Sequence, residues 1–177
     1  LSIFFRKNLI FSQSIRIGGQ HITSDIMQAF QISFLAAERL KVLHGGLLPT
    51  NSDDRETLEL PESNTDLLTD RRTITKSELL GVIRPRVEEI FDSLRSILDQ
   101  SDFEVLPGQK IVLTGGGSKL ENILDFTSTF FRKPTRVAVP MRIQGLPASA
   151  HGPEAAAVIG LALNLAQPQD EIWYFRA

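Results

Sequence analysis

Gly115-Gly116-Gly117 closes the short apolar run Lys110-Ile111-Val112-Leu113-Thr114 and is followed at once by Ser118, Lys119 and a helical pattern. Consecutive glycines carry no Cβ, so the chain there can take positive φ and a ligand can lie against bare backbone. A helix opening beyond such a turn offers unpaired N–H groups to negative charge. Strand, glycine turn and helix also serve plain α/β packing, so the run alone marks only a candidate. A charged pair, Glu38 and Lys41, stands at i,i+3 on another helical pattern, where its ordinary reading is a surface ion pair worth about 0.2–0.5 kcal/mol. A third group is basic: Arg71, Arg72, Lys76, Arg84 and Arg86 lie in a stretch whose one acid is Glu78. After Pro85 the pattern turns acidic through Glu88, Glu89, Asp92 and Asp99. Such a basic stretch suits an acidic peptide, and equally suits a solvated face with mixed charge.

Other chemistries find little support. The chain has no cysteine, which excludes disulfides, thiolate metal sites and cysteine nucleophiles. His21, His44 and His151 are scattered without a metal-binding spacing, and neither a Ser–His–Asp set nor a carboxylate pair is visible. No catalysis is therefore expected of the chain itself. A net charge of −2 gives no footing for a protein with a basic nucleic-acid surface. No apolar run approaches the roughly 18–20 residues that span a bilayer. The opening Leu1-Ser2-Ile3-Phe4-Phe5 lacks the charged flank and cleavage site of a signal peptide and reads as a chain entered within a strand. With 177 residues, 42% of them hydrophobic, the chain can bury a core as one domain or two small lobes.

The elements that must position these groups follow from period and punctuation. Residues 1–17 alternate around Arg6-Lys7-Asn8 as a β-hairpin. Gly18-Gly19 interrupts, and Thr23 or Ser24 is placed to cap a helix with Asp25 in its first turn. Helix is expected in one or two pieces to about His44, with Leu35, Ala36, Leu40 and Leu43 as its apolar stripe, ended by Gly45-Gly46. Residues 47–70 are polar and loop-rich, with one or two short strands, and a further strand is expected over residues 71–74. Thr75 and Glu78 form a capping box, with Ile74 and Leu79 as a staple. The helix they open should run to about Leu98, kinked by Pro85, burying Leu79, Ile83, Val87, Ile90, Leu94 and Ile97. The run at residues 110–114 reads as a strand buried on both faces. A helix over residues 119–132 and a strand over residues 135–139 follow, and Gly152-Pro153-Glu154 opens a last, almost wholly apolar helix that should pack closely on a sheet.

Four segments, Gly18-Gly19-Gln20-His21-Ile22-Thr23-Ser24-Asp25-Ile26, Ala37-Glu38-Arg39-Leu40-Lys41, Ile111-Val112-Leu113-Thr114-Gly115-Gly116-Gly117-Ser118-Lys119-Leu120 and Pro153-Glu154-Ala155-Ala156-Ala157-Val158-Ile159-Gly160-Leu161, stand in a telling order. In order and rough spacing they resemble the bacterial cell-division FtsA family of actin-like ATPases, over nearly the whole chain. The resemblance implies an α/β fold, the second half of an actin/Hsp70-like (ribonuclease H-like) ATPase. A large subdomain would be built from residues 1–46 and 102–177, and a small α+β subdomain inserted over residues 47–101. It makes Glu38 and Lys41 candidate contacts to a nucleotide's ribose and base. Gly115, Gly116 and Gly117 would approach the adenosine from the other side, with Ser118 and Lys119 beside them.

The resemblance also implies partners. ATP, with Mg in the full-length protein, is the expected cofactor. FtsZ filaments are tethered to the inner membrane face at the septum, later division proteins are recruited, and the protein self-associates into filaments. The acidic-apolar FtsZ C-terminal peptide docks on the inserted subdomain, which makes Arg71, Arg72, Lys76, Arg84 and Arg86 its candidate receptor as a group. The family's phosphate loops and extra subdomain would precede Leu1, and its amphipathic membrane helix is not visible at Trp173-Tyr174-Phe175-Arg176-Ala177. Poor ATP binding and no membrane binding are expected of this stretch. A pilus-assembly or Hsp70-like ATPase, or half of a sugar kinase, is the alternative.

Overall fold

The computed structural model describes residues 1–50, 52–60, 72–100, 108–140, 143, 145–146 and 151–166. Arg71 and the tail from residue 167 lie outside them, as do residues 51 and 61–70 of the loop-rich stretch. The chain opens on β1 (Ser2–Phe5) and β2 (Asn8–Ser12), an antiparallel hairpin with a register shift between Ile3 and Phe4. Its two-residue turn, Arg6-Lys7, has φ of 49° and 72°. Both residues are left-handed there, as a turn that follows the strand twist requires.

Two helices come next. Helix α1 (Gly19–Phe30) starts earlier than the Thr23 or Ser24 cap implies. The Gly18 N–H donates to His21 Nδ1, while Ser24 lies inside the helix and its hydroxyl bonds back to the Gln20 carbonyl. Gln31, with φ of 53°, breaks the helix in two. Helix α2 (Phe34–His44) is capped by Ser33, whose Oγ accepts from the Ala36 N–H. Only part of the expected stripe faces inward: Ala36, Ala37 and Leu40 are buried, whereas Leu35 is 80% and Leu43 60% exposed.

Strands β3 (Thr57–Glu59) and β4 (Thr73–Thr75) form a second antiparallel pair, in register Leu58 opposite Ile74. They lead into α3 (Lys76–Asp99), opened by the reciprocal Thr75–Glu78 box, with the Glu78 N–H donating to Thr75 Oγ1 and the Thr75 N–H to Glu78 Oε2. The helix continues through Pro85. Leu79, Ile83 and Val87 are buried as the pattern requires, together with Leu80 and Phe91.

The third pair is parallel, β5 (Ile111–Leu113) beside β6 (Thr135–Val137), with α4 (Ile123–Phe131) as the crossover. Helix does not follow the glycines directly. One 3-10 turn, Gly116–Lys119, comes first, and α4 begins after Asn122. Strand β5 is not buried on both faces, since Val112 is 47% exposed. A 3-10 turn at Pro153–Ala155 enters α5 (Ala156–Ala166), which buries Ile159 but exposes Val158, Leu161 and Leu165.

The core draws on residues from both sides of positions 47 and 101. Ile22, Ile26, Ala37 and Leu40 from the first two helices form one cluster with Leu58, Ile74, Leu79, Ile83, Val87, Phe91, Ile123 and Phe126. Helix α3 packs on α1 along this cluster. Phe91 gathers Phe126, Phe130 and Phe131 around it, with ring centroids 5.2–5.7 Å away, a spacing at which aromatic edges and faces attract.

Candidate functional site

The Glu38–Lys41 pair is more than a surface ion pair. Lys41 Nζ donates to Glu38 Oε2 at 2.6 Å, to Thr23 Oγ1 at 2.7 Å and to the Gly19 carbonyl at 3.1 Å. Thr23, fully buried on α1, donates its hydroxyl to Glu38 Oε2 at 2.5 Å. The pair thus fastens α2 to the first turn of α1. Burial works to raise the Glu38 carboxyl, but the hydrogen bonds from Lys41 and Thr23, with the Lys41 charge, outweigh it and hold the group below its usual value.

The glycine turn lies on the seam with the end of α2. Gly46 bridges to Glu121 in parallel fashion, and the Glu121 N–H donates to the Gly45 carbonyl at 3.0 Å. The segment leaving Gly117 is thereby joined to the helix end that carries Lys41. Gly115 has φ of 87°, a conformation that costs other residues strain. Its N–H donates to the Pro153 carbonyl, which ties the turn to the entry of α5. Gly116 and Gly117 are exposed, and a Cβ at either would meet nothing within 4 Å. Bare backbone therefore faces open space.

Ser118 does not share that exposure. It is buried and its Oγ donates to the Gly115 carbonyl at 2.7 Å, so it holds the turn in shape and offers no hydroxyl to a ligand. Lys119 pairs at the surface with Glu154, 3.3 Å away.

The basic group is dispersed over several internal ties and forms no open patch among the described residues. Lys76, with its side chain 14% exposed, reaches Glu121 at 3.1 Å and lies within 4 Å of Asp53 and Glu56. The Glu121 hydrogen bond, opposed by burial and aided by the three acids' charge, raises its ammonium above the ordinary value. Arg86 grips Asp25 of α1 through both Nε and Nη2, at 2.6 and 2.9 Å. Arg72 Nη2 donates to the Phe30 carbonyl. Arg84 is the looser one: it pairs with Glu88 one turn on, stays 45% exposed, and lies 5.7 Å from the Phe126 ring centroid. That guanidinium edges an apolar cleft of about 240 Å³ lined by Leu48, Arg84, Glu88, Asp125, Phe126, Thr129 and Phe130. Sequence spacing missed the cleft, because its walls come from α3, α4 and Leu48, which are far apart in the chain.

Two acids tie the seam to pH. The Thr50 N–H, 2.6 Å from Asp53 Oδ2, together with Lys76, holds the Asp53 carboxyl below its ordinary range against the effect of burial. Glu38 is displaced the same way. As pH falls, the unfolded chain takes up these protons first, so the stability they supply is complete above the ordinary carboxylate range and is lost through the lower folded values. Urea midpoints measured down the acid limb are expected to fall less steeply for Asp53→Asn and Glu38→Gln than for the native chain. Equal slopes would remove the two carboxylates from the account.

A family model described as cell division protein FtsA matches residues 1–160. Among curated proteins, the chain is 30% identical over 163 residues to the cell division protein FtsA of Rhizobium meliloti, covering 92% of this chain and 37% of that protein. It is 29% identical over 173 residues to the Pseudomonas aeruginosa protein of the same name, covering 97% and 40%. The chain thus spans about two fifths of the length of these relatives. Among solved structures, MreB 5 of Spiroplasma citri bound to AMPPNP superposes with a TM-score of 0.67 at 20% identity, over 89% of this chain and 46% of that one. The ADP-bound form gives 0.65. The fold is that of part of an actin-like protein.

Proposed function

The chain belongs to the FtsA family of cell division proteins, and on that premise we propose that it is the second half of an ATP-binding, actin-like adaptor. The whole protein would tether FtsZ filaments to the inner face of the cytoplasmic membrane at the division site, recruit later division proteins and polymerise. Within this chain the adenosine half of an ATP–Mg site would be held by Glu38 on one side and by the backbone of Gly115, Gly116 and Gly117 on the other. The chain carries no hydrolytic step of its own in this reading.

One observation supports its role with FtsZ above the others. Arg84 keeps an exposed guanidinium over Phe126 at the mouth of an apolar cleft. An acidic-apolar tail would place a hydrophobic side chain in the cleft and exchange one of its carboxylates for Glu88 on Arg84. Lys76 and Arg86 serve in this reading as the ties that keep the inserted unit in place, since each already faces acids of its own chain.

The test is binding of a labelled FtsZ C-terminal peptide, followed by fluorescence anisotropy. Arg84→Glu is expected to weaken it at least about tenfold, the scale of a charge-assisted hydrogen bond, with the far-ultraviolet circular dichroism unchanged. Undiminished binding would take the peptide away from this cleft. Arg86→Glu is the contrasting variant: by breaking the Asp25 grip it should lower the melting temperature as well.

A further inference from the structure

We propose that Asp125 selects a cationic side chain on the docked peptide, beside its apolar one, so that the segment the cleft accepts carries charge of both signs. The inference rests on the peptide reading above and adds what the second wall of the cleft requires. At about 240 Å³ the cleft is smaller than the roughly 300–1,000 Å³ of pockets that enclose a small molecule, and it suits a side chain of a longer segment lying across it. Arg84 and Glu88 stand one turn apart on α3, and Asp125 and Thr129 one turn apart on α4. The floor holds Phe126 and Phe130, with ring centroids 6.2 Å apart.

The charges of the two walls do not balance. Arg84 is already held by Glu88 at 2.8 Å. Asp125 is exposed, and its carboxylate has no hydrogen bond or ion pair among the described residues. Thr129 is neutral, so Asp125 alone sets the sign of its wall. A peptide carboxylate that takes Arg84 leaves Glu88 without its cation. The cleft then carries two unpaired carboxylates at the rim of an apolar floor, and both lose water as the ligand closes over them. Unpaired charge that is desolvated at an interface opposes binding. One lysine or arginine on the peptide removes the conflict, because its methylene stem can lie along the phenylalanine floor while its charged head reaches Asp125. A purely acidic segment satisfies Arg84 and fails at the opposite wall.

An aspartate in the first turn of a helix also stabilises that helix through its dipole. Such a role does not depend on the charges of a ligand, so a charge-swap cycle separates the two. The cycle uses the 177-residue chain and anisotropy of the labelled FtsZ C-terminal peptide. Asp125→Asn is expected to weaken binding about three- to fivefold, the scale of a partly exposed ion pair, with the loss shrinking as salt is raised. A peptide whose lysines and arginines are replaced by glutamine should show the same loss on the native chain and no further loss on Asp125→Asn. Asp125→Lys should bind the unchanged peptide about tenfold more weakly, as like charges repel. It should bind a peptide carrying glutamate at those positions better than the native chain does.

A loss on Asp125→Asn of the same size with every peptide would reduce Asp125 to a helix-stabilising residue and overturn the proposal. So would a glutamine-substituted peptide that binds the native chain as tightly as the unchanged one. A native chain that does not bind the peptide overturns the peptide reading, and this inference falls with it. Binding that is indifferent to Asp125 overturns the inference and leaves the reading standing.

Discussion

Ile83→Ala is expected to destabilise the fold by about 3–4 kcal/mol, the range of a large-to-small change at a site that cannot collapse. Ile83 is wholly buried on α3, in the cluster that also holds Ile22, Ile26, Leu79 and Val87. The loss combines the transfer free energy of the deleted carbons with a cavity enclosed by two packed helices. Ile83→Val, which removes one methyl, should cost only about 1 kcal/mol. Urea denaturation of the two variants checks the pair, and a similar cost for both would mean that the core relaxes around the gap. The position bears on function because the next residue is Arg84, and Arg86, which grips Asp25, follows two further on. A loosened α3 should weaken peptide binding without touching the cleft itself.

Gly45→Ala is expected to cost about 2–3 kcal/mol, at the upper end of what a forced extra carbon does in a tight site. The backbone at Gly45 is ordinary, with φ of −71°, so the penalty lies in space and not in strain. A Cβ there would fall inside the contact distance of the Lys41 carbonyl oxygen and lie 3.0 Å from Leu120 Cδ2. The oxygen is fixed, because it accepts the Gly45 N–H at 3.0 Å and closes the last turn of α2. Relief requires opening that turn or pulling residues 120–121 away from the seam, and either moves Lys41 against the glycine turn. Gly46→Ala is the comparison: its Cβ would meet the Glu121 Cβ at 3.2 Å, where a few tenths of an ångström of give suffice. Melting curves should rank native, Gly46→Ala and Gly45→Ala in that order. A Gly45→Ala chain as stable as the native one would show that the seam yields freely.

What could be read from the sequence was local in origin. The capping box at Thr75 and Glu78 needs only residues three apart, and the hairpin turn needs only its own two residues, so both were visible. The two strands and the helix between them are visible as an apolar run, a helical pattern and a second run, and their parallel pairing comes from the structure. The type of Thr23 and the residues beside it suit a helix cap, yet its partners stand 15 and 18 positions away on α2. The Arg86 grip on Asp25 spans 61 positions, and no periodicity signals such a tie. The stripe on α2 had the right period but the wrong phase: small Ala36 and Ala37 let α1 approach closely, which turns Leu35 and Leu43 outward. Likewise, a basic run looks free when its acids lie elsewhere in the chain, as Glu121 does for Lys76.

The unbroken core has a mechanical consequence. Helix α3, about 36 Å long at 1.5 Å per residue, is pinned near its start by Lys76 to Glu121, in its middle by Arg86 to Asp25, and near its end by Arg95 to the Phe130 carbonyl. A rod clamped at three points carries load instead of yielding to it. Tension applied along α3 would reach α1 and α2, and with them the Glu38 carboxylate, before it could be dissipated in a hinge.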